Sequence, residues 1–145
     1  MSLNKSANII LNKCMNLKKN ESCLVVTDKK LKHIGEILFR NSLKITKKSK
    51  LIFTSIPKSH GSEPRKNIAE EMLNYDVILL PTTKSLSHTR ARNAATNTGA
   101  RIASMPGITE DMMQRALGVD FYKIRESNNK LISKLKNKNK ITITT

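Results

Sequence analysis

Asp76–Val77–Ile78–Leu79–Leu80–Pro81–Thr82–Thr83–Lys84–Ser85–Leu86–Ser87–His88–Thr89–Arg90–Ala91–Arg92 is the stretch from which the architecture can be read. A short apolar run stops at a proline, and a dense polar cluster follows it into a helix. An α/β protein places a ligand in this position, beyond the carboxyl end of a buried strand and at a helix N-terminus. Thr83, Ser85, Ser87, His88, Thr89, Arg90 and Arg92 combine hydroxyls, an imidazole and two guanidiniums. That set suits a phosphate, a carboxylate or another polar ligand. It holds no carboxylate, which makes it a poor site for a hard cation.

Working outward, helical and strand-like periodicities alternate. Leu3, Ala7, Ile10, Cys14 and Leu17 recur at helical spacing and predict a helix over about residues 4–18, with Cys14 on its buried face. Cys23–Thr27 reads as a buried strand, with Asp28 capping a helix that turns Leu31, Ile34, Ile37 and Leu38 inward. Lys50–Ile56 is a second strand. His60–Gly61–Ser62–Glu63–Pro64 follows, with Pro64 placed to be the first residue of the next helix. Val77–Leu80 is the third strand, and Gly99 suits the end of the helix after it. Ala100–Ser104 is a weaker fourth strand, Thr109 caps a short helix, Phe121–Asn137 is a long one, and Ile141–Thr145 reads as a fifth strand. The pattern predicts an α/β domain of the Rossmann-like three-layer kind. Its sheet is mainly parallel, of about five strands, with helices on both faces.

Chain length, 145 residues, suits one domain over residues 1–145. No apolar run approaches the ~20 residues that span a bilayer. The N-terminus lacks a signal peptide's apolar segment, so the expected setting is the cytoplasm with no membrane partner. Cys14 and Cys23 read as buried thiols. The formal charge of +16 raises nucleic acid and other polyanions as partners. The basic residues are mostly lysines spread along the chain, clustered at 44–50 and 130–140, and aromatic platforms are scarce at 3%. Non-specific polyanion contact at low salt is therefore expected, with a stand-alone basic module or a small-anion-binding domain as alternative readings.

The chemistry available within the chain is limited. Glycine-rich phosphate loops of the dinucleotide and P-loop types are absent. His33, His60 and His88 are scattered, although His60 and His88 can meet across neighbouring strand ends, and His60 has Glu63 three residues on. No catalytic residue and no metal ligand is assigned. The polar strand-end loops have nothing opposite them, and the sequence stops within a β-prone run. Both lead to the expectation of one half of a larger protein.

His60–Gly61–Ser62–Glu63–Pro64, Asp76–Thr82, Ser85–Leu86–Ser87–His88–Thr89–Arg90–Ala91–Arg92 and Gly99–Thr109 together resemble the N-terminal domain of the M29-type metallo-aminopeptidases. They are also similar to the related dihydroxypyridine ring-opening dioxygenases. The resemblance covers most of the chain and is strongest over about residues 58–120. It implies a two-domain protein in which His, Glu and Asp of a C-terminal domain, absent here, bind a divalent metal. It implies a hydrolase-like role for the whole protein and catalytic inertness for this part. Arg90 or Arg92 would pair with a substrate carboxylate or with an acid across the domain interface. Ser87 and His88 would add hydrogen bonds to a peptide or other small polar substrate. Homo-oligomerisation is a further expectation.

Overall fold

The computed structural model describes residues 1–136, 140, 142 and 144. Four strands form one parallel sheet in the order β2-β1-β3-β4: β1 (Cys23–Asp28), β2 (Ser49–Thr54), β3 (Val77–Leu80) and β4 (Arg101–Ser104). Six α-helices are seen among the described residues: α1 (Leu3–Ile9), α2 (Lys32–Ser42), α3 (Lys66–Met72), α4 (Arg90–Asn97), α5 (Glu110–Ala116) and α6 (Phe121–Leu135). The Rossmann-like three-layer reading therefore holds with four strands rather than about five. The expected fifth, Ile141–Thr145, falls on Ile141, Ile143 and Thr145, outside the described residues.

The two central strands are buried on both faces, which is why they are continuous apolar runs rather than alternating ones. Cys23, Val25, Val77 and Leu79 pack with Ala7, Ile10 and Leu11 of the N-terminal helix, Ile34 and Leu38 of α2, and Met113 of α5. Leu24, Val26, Ile78 and Leu80 pack on the opposite side against Ile68 and Met72 of α3 and Ala91 and Ala95 of α4. Gly35 lets α2 approach closely, since a Cβ there would stand 2.6 Å from Thr27 Cγ2.

Two local expectations change. After α1 the backbone opens into a π turn, Ile10–Cys14, with Met15 N–H donating to Ile10 O at 2.8 Å. The wider turn advances the helical phase. Leu11 and Met15 then take buried positions, and Cys14 is exposed rather than inward-facing. Pro64 does not begin α3, which starts at Lys66 after an extended Arg65. Glu63 is held by α4, as described below, and the chain stays extended as it leaves that contact.

Other expectations match. Thr109 accepts from Met112 N–H at 3.1 Å to cap α5, and Glu110 and Asp111 occupy its first turn. Gly99 lies just beyond α4 at φ +97°, a left-handed conformation that favours glycine.

Candidate functional site

The strand order sets the site. From β1 the chain crosses by α2 on one face, and from β3 it leaves by α4 on the other. Loops that part in this way open a crevice at the carboxyl ends of β1 and β3. Here the crevice is closed by Asp28, the last residue of β1, which is fully buried. Its carboxylate accepts from Thr83 N–H at 2.5 Å, from Thr83 Oγ1 at 2.9 Å and from Lys30 N–H at 3.0 Å. The expected helix cap is thus also the tie between the two central loops.

A second carboxylate organises the other side. Glu63, in the loop after β2, accepts from Arg90 N–H at 2.7 Å and Ala91 N–H at 3.2 Å, and its Oε1 lies 3.6 Å from Arg90 Nε. The Arg90 N–H above all, then that of Ala91 and the guanidinium, hold the Glu63 carboxyl below the usual glutamate range. Thr89 is buried and takes the third position, accepting from Arg92 N–H at 3.1 Å. The first three N–H groups of α4 therefore all have internal acceptors. An anion arriving at this helix start must displace Glu63.

The loops are joined to each other as well. Gly61 N–H donates to Ser85 O at 2.8 Å, and Ser85 N–H donates to His60 Nδ1 at 3.1 Å. His60 is thereby the tautomer that carries its proton on Nε2. Ser85 Oγ donates to Ser87 Oγ at 3.0 Å, and Ser87 Oγ to Ser104 Oγ at the end of β4 at 2.9 Å. Gly107 N–H donates to Thr82 O at 2.9 Å. One hydrogen-bonded ridge thus runs along the carboxyl edge from the β2 loop to the β4 loop.

Of the residues singled out from sequence, Glu63, Thr89 and Arg90 meet at the start of α4, and His60, Ser85 and Ser87 lie beside them. Thr83 belongs to the Asp28 tie. Arg92 leans on Asn93 Oδ1 at 3.3 Å. His88 is exposed, and the Arg90 side chain is 93% exposed, so both remain open to a partner. Asp28 as a site residue and Ser104 were not anticipated, although a carboxylate ending an apolar strand was a readable signal for the first. His33, on the first turn of α2, contacts Glu110 of α5. Among the described residues no three His, Cys, Asp or Glu side chains gather as a metal centre would need. The histidines present do not fit one: His60 Nδ1 is an acceptor for Ser85, His33 is held by Glu110, and His88 stands apart. No helix is long and apolar enough to cross a membrane, among the described residues.

This is a Rossmann-like α/β domain with a polar, internally braced carboxyl edge. No family model matches the sequence, and no curated protein matches it. Among solved structures, wild-type AmpT from Thermus thermophilus shares the fold. The TM-score is 0.54 at 12% identity, over 92% of this chain and 48% of that one. The chain spans about half the length of that protein.

Proposed function

We propose that this chain serves as the N-terminal-type domain of an aminopeptidase-like metalloprotein, walling one side of a substrate cleft and being non-catalytic alone. The observation that carries the reading is the braced carboxyl edge. Both of its central carboxylates, Asp28 and Glu63, are committed to backbone N–H groups. They hold loops in place instead of reacting. Support comes from the fold shared with AmpT, an M29 aminopeptidase, across nearly all of this chain and half of that one. In this reading the divalent metal and its ligands sit in a further domain. Arg90 and Arg92 offer charge to a substrate carboxylate or to an acid of that domain, and His88 and Ser87 offer hydrogen bonds.

The test is an assay of the chain with short peptides and aminoacyl anilides in the presence of zinc, cobalt or manganese. No amino-acid release is expected, and metal-dependent release by this chain would overturn the reading. Sequencing the coding frame beyond Thr145 adds a positive arm. A downstream domain rich in His, Glu and Asp is expected, and an immediate stop codon would count against the two-domain proposal. A second reading, attraction of polyanions at low salt, is favoured by the formal charge of +16. It predicts affinity that falls steeply as salt rises.

A further inference from the structure

The loop between β2 and α3 is tied down by side chains that can take up a proton. From Ser55 to Arg65 none of its residues is buried, so no apolar anchor holds it. Its tip is a compact turn closed on itself. Ser62 N–H donates to Ser59 O at 3.3 Å, Ser59 N–H donates to Ser62 Oγ at 3.1 Å, and Gly61 takes φ +82°, where glycine is favoured. Such a tip can shift as one piece when its outside ties are released.

Those ties lie at two points. At the first, Ser85 N–H donates to His60 Nδ1 at 3.1 Å and Gly61 N–H donates to Ser85 O at 2.8 Å. At the second, the Glu63 carboxylate accepts from the Arg90 and Ala91 N–H groups. An imidazole Nδ1 stops being an acceptor once it is protonated, and a carboxyl becomes a weaker one. The charged and titratable groups on the elements that meet here are Lys58 and Glu63 of the same loop, Lys84 and His88 of the β3–α4 loop, and Arg90 of α4. None of them replaces the Nδ1 acceptor. Glu63 is committed to α4, His88 is exposed and apart, and Lys58, Lys84 and Arg90 are donors only.

We propose that the β2–α3 loop is a proton-operated strap across the carboxyl edge, fastened at both points at about pH 8 and released at its His60 end in mild acid while Glu63 still holds. Imidazole is the side chain that ordinarily titrates between about pH 5 and 8, above the ordinary carboxylate range. A proton on Nδ1 sets the His60 and Ser85 N–H groups against each other. The Glu63 carboxyl is held below the usual glutamate range by the Arg90 N–H above all, and stays ionised over that interval. Opening the His60 end frees the Ser85 N–H beside the Ser85–Ser87 hydroxyl pair and adds an imidazolium to the edge. The device belongs to the free chain and goes beyond the aminopeptidase reading without depending on it.

Amide hydrogen exchange of the chain followed by NMR from about pH 8 to 5, corrected for the intrinsic effect of pH, is the test. Protection of the Ser85 N–H should fall about tenfold over that range, the order expected for one lost hydrogen bond, while Arg90 and Ala91 keep theirs. His60→Asn puts an amide oxygen near the Nδ1 position, an acceptor that does not titrate, so Ser85 protection should stay level. His60→Ala should be open at that end at every pH. Trypsin should then cut it after Lys58 several-fold faster than it cuts the unaltered chain or His60→Asn. His60 is exposed, so circular dichroism should show both variants folded, and the pH series on the unaltered chain needs neither. Level Ser85 protection in the unaltered chain overturns the proposal, as does an equal fall in His60→Asn. Simultaneous loss at Ser85, Arg90 and Ala91 also overturns it, since the whole edge would then be loosening. Equal trypsin rates for all three proteins would do the same.

Discussion

The carboxyl edge of the sheet and the α5–α6 side of the molecule are finished to different degrees. At the edge, Asp28, Glu63, Thr89 and Ser85 tie the loops together, and no side-chain polar atom is buried without a partner among the described residues. On the α5–α6 side, an apolar cleft and an apolar helix face lie open. The difference follows from energetics. An unsatisfied buried polar group costs about 1–3 kcal/mol and must be met within the fold itself. An exposed apolar side chain is exposed in the unfolded chain as well, so it forgoes stabilisation without opposing folding and can wait for a partner.

The contrast breaks most sharply at Asp28. Asp28→Ala removes three acceptor contacts and strands the Thr83 N–H, and should cost about 3 kcal/mol in urea unfolding. Ile132→Ser on α6, at 61% exposure, should change monomer stability by no more than about 0.5 kcal/mol. Equal costs would dissolve the distinction between a braced and an open region.

Gly35→Ala probes the packed centre. A methyl group would meet Thr27 at 2.6 Å, and overpacking should cost about 1–3 kcal/mol by thermal or urea denaturation. In a Thr27→Ala background the same change should turn neutral or favourable, because alanine is a better helix former than glycine by about 1 kcal/mol. No rescue there would mean that something other than Thr27 limits the site.

Acid titration compares the two edges of the sheet more gently, Glu63 at the carboxyl edge with Glu21 and Asp76 at the amino edge. Arg101's guanidinium holds Glu21 low, the Arg90 N–H holds Glu63 low, and the Ser22 N–H holds Asp76 low. Folded-state values lowered in this way stabilise the protein above the ordinary carboxylate pKa values of 3.8–4.5. That stability is lost as pH falls through the lowered values. Glu63→Gln should flatten part of this acid limb, and an unchanged pH profile of unfolding would show that the α4 contact contributes nothing.

Cysteine labelling is the smallest effect and touches both regions. Burial pushes the Cys23 thiol up to about 12, whereas Cys14 is exposed at the cleft. In dilute solution one thiol should react with a disulfide reagent at pH 8, and two after unfolding. A folded-state value raised above 9.0 also predicts that stability declines as pH rises from 9.0 toward about 12. Prompt labelling of both thiols in the folded chain would contradict the burial of β1.

Much of this was legible from local pattern. Val77–Leu80 as a buried strand, Thr109 as a cap, Gly99 as a helix terminator and α/β alternation all rest on interactions within a few residues. Cys14 leaves the buried face that a regular 3.6-residue period predicts, because the backbone there widens into a π turn. At the candidate site, the residue types at the start of α4 were visible, but their commitments were not. Glu63 stood out for its nearness to His60, while its bond to Arg90 spans 27 residues and depends on β2 and β3 ending at the same edge.

What the amino-acid order decides here is the set of elements and the chemistry each loop brings, because propensity, capping and apolar periodicity act over one or two turns. The order β2-β1-β3-β4, the spending of Asp28 and Glu63 on backbone donors, and the cleft left open beside α6 were decided only by the tertiary structure. Each depends on which distant segments the packed core brings together, and no local pattern encodes that pairing.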